Sequence, residues 1–244
     1  MINIRITIEY DGKDFNGWQK QPNKLNIQGE IERAIEIITG EKVDVIGSGR
    51  TDAGVNALAQ VANFKVSELK ISVDRLIYAI NSQLKKTIRI IKAEIVDDSF
   101  HSRYAAKKKT YRYTINNSIA GSAIYRNMQY HYPFKLDEVK MNEGAKYFIG
   151  EHDFKAFKAS GTSSKSSVRK IYDAKVYRDG DLIKIELAGN GFLYNMVRII
   201  AGTLVEIGKG KDCSIADIIN SGQRKSAGPT APACGLFMEK VEYD

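Results

Sequence analysis

Ile2, Ile4, Ile6, Ile8 and Tyr10 alternate with polar residues at the start of the chain, which is the period of a half-buried strand. A turn-rich segment, 11–26, follows and carries Trp18, the single tryptophan. Ile27, Ile31, Ala34, Ile35 and Ile38 then recur on one helical face, with Asn26 suited to cap that helix and Gly40 to end it. A short strand is predicted over 43–46, running into Gly47-Ser48-Gly49, and a second over 58–66. Ser72 can cap a helix reaching about Ser82, and 87–96 reads as another strand. The predicted order is strand, helix, strand, strand, helix, strand.

The remainder repeats this order without repeating the sequence. Tyr111, Tyr113 and Ile115 alternate with Arg112 and Thr114 in a strand, and 137–148 has a helical period that stops at Gly150. Strands over 168–177 and 182–187 flank Arg178-Asp179-Gly180-Asp181, whose Asp-Gly step favours a tight hairpin turn. The pattern of 192–207 predicts a long amphipathic helix, a short one follows near 214–221, and 235–243 closes as a strand. The expected fold is therefore α+β: two ferredoxin-like (βαββαβ) halves with mainly antiparallel sheets packed side by side. The expected halves are 1–105, carrying the glycine-rich loop, and 106–244, completing the cleft. That topology hosts many functions, so the site must decide.

Composition narrows the class. With 43% hydrophobic and 27% charged residues, the chain is in the ordinary globular range. Lys and Arg number 37 against 29 Asp and Glu, a net charge of +8, which suits a polyanionic partner. Cys213 and Cys234 form no CxxC pair and stand far in sequence from the three histidines, so no thiolate–imidazole metal site is expected. Sparse cysteine use fits a reducing compartment. The most apolar stretch, 191–208, is short and carries Asn195, Arg198 and Glu206, so no membrane span is expected. A cytoplasmic protein without a signal peptide is the resulting expectation.

The strongest local signal is Gly47-Ser48-Gly49-Arg50-Thr51-Asp52-Ala53-Gly54-Val55. Three glycines within eight residues allow backbone shapes that a Cβ resists. No Gly-Lys-Ser or Gly-Lys-Thr follows, which argues against a nucleotide triphosphate loop. Read alone, Asp52 is a turn residue of the kind that bonds its own backbone. Arg50 beside it, with glycine on both sides, suggests instead a loop built to present both charges.

Gly49-Arg50-Thr51-Asp52-Ala53-Gly54-Val55 closely resembles the signature loop of the tRNA pseudouridine synthase A family. The likeness continues through Tyr10-Asp11-Gly12, Phe15-Asn16-Gly17-Trp18-Gln19, Phe100-His101-Ser102-Arg103 and Lys109-Thr110-Tyr111-Arg112-Tyr113. It extends to Gly150-Glu151-His152-Asp153-Phe154, to Gly191-Phe192-Leu193-Tyr194-Asn195-Met196-Val197-Arg198, and to Ala231-Pro232-Ala233-Cys234-Gly235-Leu236. The order of these motifs is what makes the resemblance specific.

The resemblance implies an isomerase that converts uridine to pseudouridine in the anticodon stem-loop of tRNA (tRNA positions 38, 39 and 40), without cofactor or metal, as a homodimer. It makes Asp52 the catalytic residue, acting as a nucleophile at C1′ or C6 or as a base on the ribose. It gives Arg50 the task of displacing the base, an extraction that costs roughly a few kcal/mol. Tyr111 would stack on the target uracil, Arg198 would pair with Asp52, and Leu236 would pack against the base. Without the resemblance, Tyr111 and Leu236 read as core and Arg198 as a helix-surface charge. The run Lys107-Lys108-Lys109 with Arg112 puts positive charge beside this site, and Lys165 and Arg169 are expected to join it on the RNA backbone, with Lys170, Lys209 and Lys211. The Ser- and Gly-rich segment 159–167 reads as a loop that orders on RNA. Asn56 departs from the family, which often has His there, and removes a titratable group. Two other classes compete: a non-catalytic RNA-binding protein, which has no need of Asp52 and Arg198 together, and a small-molecule acid–base enzyme, which is active without RNA.

Overall fold

The computed structural model describes residues 1–161 and 166–243. The chain divides into two units, Met1–Lys107 with Met238–Asp244, and Lys108–Phe237. Both mix helices with mostly antiparallel strands.

In the first unit the elements are β1 (Ile2–Tyr10), α1 (Ile27–Thr39), β2 (Ile46–Gly47), β3 (Asn56–Val66), α2 (Val73–Gln83) and β4 (Ile88–Val96). Strand β1 lies between β4 and β3 and is antiparallel to both, with Ile4 opposite Phe64 on one side and Ile95 on the other. The alternation of the sequence sets this arrangement. Ile4, Ile6 and Ile8 are fully buried, as are Ile31 and Ile35 of α1 and Leu76 and Ile80 of α2. Each such side chain contributes roughly 1.5–3 kcal/mol on leaving water. Asn26 caps α1 through Oδ1, which accepts from the Gly29 N–H at 2.8 Å, and Ser72 caps α2.

The strand predicted over 43–46 is shorter and later than expected, because only Ile46 and Gly47 pair with β3. Val45 is buried instead, and its N–H donates to the Glu32 carboxylate of α1 at 3.2 Å, which takes it out of a ladder. The alternate positions of the sheet are also occupied. Asn3 and Asn63 are buried and bond each other at 3.0 Å. Asn3 Nδ2 also donates to the carbonyls of Asp97 and Phe100, and Asn63 Oδ1 accepts the Ser102 N–H. This polar layer fastens the 97–102 connection to the sheet.

In the second unit the strands are β5 (Lys108–Asn116), β6 (Tyr130–His131), β7 (Gly150–Asp153), β8 (Val168–Asp179) and β9 (Leu182–Gly189). Their order is β5-β9-β8-β7, and β6 runs parallel to the end of β5. The hairpin turn falls on Gly180-Asp181, since Asp179 and Leu182 already pair. Helices α3 (Glu138–Lys146), α4 (Met196–Gly208) and α5 (Ile215–Ser221) complete the unit, and β10 (Leu236–Glu242) begins in it. Strands β6 and β7 were not expected: each spans only two to four residues, too few for a period to register.

Helix α4 also differs from expectation. It starts at Met196 rather than Phe192, because Asn195 adopts a left-handed conformation, φ +59°, which Asn tolerates better than most residues. Nor is the helix strongly two-faced, since ten of its thirteen residues are buried. Among the described residues no helix is long and apolar enough to cross a membrane.

Candidate active site

The segment 47–55 connects β2 to β3, and a second segment, 11–18, clasps it through main-chain atoms. The Trp18 N–H donates to the Thr51 carbonyl at 3.0 Å, and the Gly54 N–H donates to the Phe15 carbonyl at 3.3 Å. Gly12 donates its N–H to Asn56 Oδ1 at 2.9 Å, and Tyr10 OH and Thr51 Oγ1 share a buried bond of 2.8 Å. Burial pushes the Tyr10 phenol above its ordinary value, so it stays protonated. Gln60 finishes the support: it accepts from Ser48 Oγ at 2.7 Å and donates to the Gly49 carbonyl at 2.9 Å.

The glycines of the two segments are required by this closeness. A Cβ on Gly12 would stand 2.0 Å from the Val55 carbonyl oxygen. One on Gly17, where φ is +87°, would stand 2.5 Å from that of Thr51. Trp18 and Phe15, nearly fully buried, anchor the clasp. The result is a braced loop in which Thr51 points inward, Asp52 is half-buried and Arg50 is exposed. Such bracing fixes the backbone that carries the carboxylate.

Three further predicted residues sit in the second unit. Tyr111 lies on β5 opposite Leu187, 7% exposed, with its ring centre 5.0 Å from that of Phe192 in a near-perpendicular arrangement. Arg198 occupies the first turn of α4 and is half-buried. Its Nε donates to the Ala231 carbonyl and its Nη1 to Asn195 Oδ1, both at 2.8 Å. Leu236, 5% exposed, opens β10 just after a tight turn at Ala233–Gly235.

One connecting segment, 229–236, brings these residues together. It crosses α4 so closely that a Cβ on Gly202 would meet the Pro229 carbonyl oxygen at 1.9 Å. It rests on β5 where Tyr113 OH donates to the Pro232 carbonyl at 2.8 Å and Gly235 abuts the Tyr113 ring. Burial raises the Tyr113 phenol, so it acts as a neutral donor. Arg198 and Leu236 are thus held by one segment, seated two residues along β5 from Tyr111. Burial also raises Cys234, whose thiol donates to the Gln129 carbonyl; a thiol kept protonated is a weak nucleophile.

The predicted basic residues differ in exposure and partners. Lys107 is exposed, and Lys108 and Lys109 are half-buried at the start of β5. Arg112 faces away from Tyr111, as alternation requires, with its guanidinium 5.7 Å from the Phe237 ring centre and Glu186 as its cross-strand partner. Arg169 is half-buried, donates to the carbonyls of Ser166 and Val168, and has its pKa lowered by burial. Lys165 and the middle of the 159–167 segment, 162–165, lie outside the described residues. Among the described residues no group of three or more His, Cys, Asp or Glu could hold a metal ion.

Sequence reasoning passed over Tyr10, Gly12, Gly17, Thr51 and Gln60. All but Gln60 stood in noted motifs, but nothing in those motifs says which residues face one another. Asn56, which stands where the family often has His, is 1% exposed and serves as an internal brace for Gly12.

Comparison with known proteins gives the family. The family model described as tRNA pseudouridine synthase matches residues 6–105 and 145–244. The tRNA pseudouridine synthase A of Acetivibrio thermocellus is 52% identical over 245 residues, with both chains covered in full. Those of Caldicellulosiruptor saccharolyticus and Thermoanaerobacter sp. are 50% and 47% identical over the same length, again with full coverage of both chains. Two braced segments, one presenting Asp52 and the other gathering Arg198 and Leu236 beside Tyr111, therefore belong to a member of the tRNA pseudouridine synthase family.

Proposed function

We propose that this chain isomerises uridine to pseudouridine in the anticodon stem-loop of tRNA, with Asp52 as the catalytic carboxylate. The reaction breaks the bond between ribose C1′ and uracil N1 and makes one from C1′ to C5. The proton lost from C5 is balanced by the one N1 carries in the product, so no electrons and no co-reactant are required. Asp52 acts as a nucleophile at C1′ or C6 or as a base on the ribose. Arg50, exposed two residues before it, displaces the target base from the stack. Tyr111 stacks on the freed uracil and assists loss of the C5 proton, Leu236 packs against the base, and Arg198 holds Asp52 ionised. Lys107, Lys108, Lys109, Arg112, Lys165 and Arg169 serve the RNA backbone.

The observation that carries this reading is the clasp around Asp52. Main-chain bonds from 11–18, the buried Thr51 and the buried Asn56 all fix the loop, while the Asp52 side chain is left half-exposed. A loop that served only as a turn would have no need of a second segment to hold it. The ferredoxin-like reading of each half, 1–105 and 106–244, draws support from the strand orders β4-β1-β3 with β2 beside β3, and β5-β9-β8. The protein acts as a cytoplasmic homodimer, which sedimentation at micromolar concentration would check.

The test is pseudouridine formation in unmodified tRNA transcripts by the wild type and Asp52→Ala, with tRNA affinity followed in parallel. The wild type is expected to convert anticodon-arm uridines. The variant is expected to bind tRNA but to lose at least about 100-fold in turnover, the scale of a lost catalytic group. If neither protein makes pseudouridine yet both bind tRNA, the catalytic reading is wrong and a binding module takes its place.

A further inference from the structure

Phe100-His101-Ser102-Arg103 has so far been given no task. The turn it forms in the first unit is tied down from beneath. Ser102 is fully buried: its N–H reaches Asn63 Oδ1 at 2.9 Å, its hydroxyl donates to the Ile46 carbonyl, and its carbonyl accepts from Tyr243 OH at 2.8 Å. The Phe100 and Tyr243 rings lie 5.1 Å apart, and the Arg5 guanidinium, paired with Glu94, covers both.

Above this base the turn holds out an aromatic ring. Tyr104 is 77% exposed, and one of its faces is backed by His101 at 4.1 Å between ring centres and 29° between planes. His101 is itself fixed, because its Nδ1 accepts the N–H groups of Arg103 and Tyr104 and its carbonyl accepts that of Ala105. Arg103 flanks the pair, its guanidinium 5.9 Å from the Tyr104 ring centre. Tyr78 is equally exposed, yet among the described residues it has no ring contact, so exposure alone does not mark the site.

The stretch of sequence that begins at this turn is one-sided in charge. Residues 99–136 contain seven Lys or Arg and no Asp or Glu, although the chain's average would place about four carboxylates there. The two carboxylates just before the turn are engaged: Asp97 by the N–H and hydroxyl of Ser99, Asp98 by Lys65 at 2.6 Å.

We infer that the turn at 101–104 is a tRNA contact apart from the reacting uridine, in which an unpaired base stacks on Tyr104 and Arg103 meets the adjoining phosphate. A largely exposed ring, backed by an imidazole and with a guanidinium close by, is what stacking on an unpaired nucleotide uses. Because the imidazole already holds the ring in place, little side-chain freedom is lost on binding. The inference rests on tRNA being the substrate, and not on the role of Asp52.

The experiment titrates unmodified tRNA at fixed salt with the wild type, Tyr104→Ala, Tyr104→Phe and Tyr104→Leu, with steady-state kinetics alongside. Tyr104→Ala is expected to weaken Kd by about 5- to 150-fold, the range of a lost base–aromatic stack, with the loss appearing in KM rather than kcat. Tyr104→Phe should remain within about twofold of wild type, and Tyr104→Leu should resemble Tyr104→Ala. Wild-type affinity in Tyr104→Ala overturns the inference. So does a Leu variant as good as Phe, since apolar area would then suffice. A changed sedimentation coefficient with unchanged tRNA affinity also overturns it and assigns Tyr104 to contact with a second copy of this chain. Since Kd is read without turnover, an inactive protein that still binds tRNA leaves this test intact.

Discussion

The side-chain oxygen of Asn56 holds a main-chain N–H 44 residues away, and both groups are buried. Replacing Asn56 by Leu keeps the approximate volume and removes the acceptor, leaving the Gly12 N–H without that partner. A buried donor in that state costs about 1–3 kcal/mol, and Asn56→Leu is expected to lose that much in urea unfolding. Because Asn56 braces the segment that clasps the Asp52 loop, turnover should fall before stability limits the folded fraction. A surface role for Asn56 predicts the opposite, with stability unchanged. At this scale the sequence was half legible. Glycines around a charged pair singled out Asp52 and Arg50. The inward Thr51 and its partner Tyr10 stayed hidden, since no local period links a strand end to a loop 41 residues on.

Among the elements, α4 shows where periodicity reaches its limit. Apolar spacing continues upstream of Met196 and suggests a helix from Phe192, but spacing carries no information on φ, and the left-handed Asn195 begins the helix four residues later. At that boundary Asn195 Oδ1 accepts from Arg198 Nη1. Gly202, in the middle of the same helix, makes two principles compete. Intrinsic propensity favours Ala over Gly by about 1 kcal/mol, whereas a Cβ there would lie 1.9 Å from the Pro229 carbonyl oxygen. Displacing a packed backbone costs typically about 1–3 kcal/mol, so the clash wins. Gly202→Ala is expected to lower the melting temperature and to disturb the segment that carries Leu236. A raised melting temperature with full activity would show that the 229–236 segment yields freely. The β1, α1, α2, β5 and β8–β9 positions were legible because each has a long period, a cap or a turn dipeptide. Strands β2, β6 and β7 have too few residues to carry such a signal.

For the whole molecule, the excess of Lys and Arg is a statement about salt. If the protein meets the tRNA backbone, log Kd rises linearly with log salt, and each lost phosphate contact lowers the slope by about one unit. Arg103→Gln is expected to reduce the slope by that amount, while Tyr104→Phe leaves it in place. A slope that does not change in Arg103→Gln would remove Arg103 from the phosphate contacts. The division of the chain was also only partly legible. A boundary near residue 105 follows from the repeated element order, but nothing local shows that β10 begins in one unit and ends in the other. That return has a consequence for how the protein is made. Residues 1–107 are synthesised before 108–237, yet Tyr243, which holds the Ser102 turn, and Glu242, which accepts the Lys107 N–H, are synthesised after them. While 108–237 are being translated, the edge of β3 that β10 later covers stays open and the turn lacks its Tyr243 bond. A prematurely terminated product is therefore an incomplete fold that proteases can recognise, rather than a smaller working enzyme.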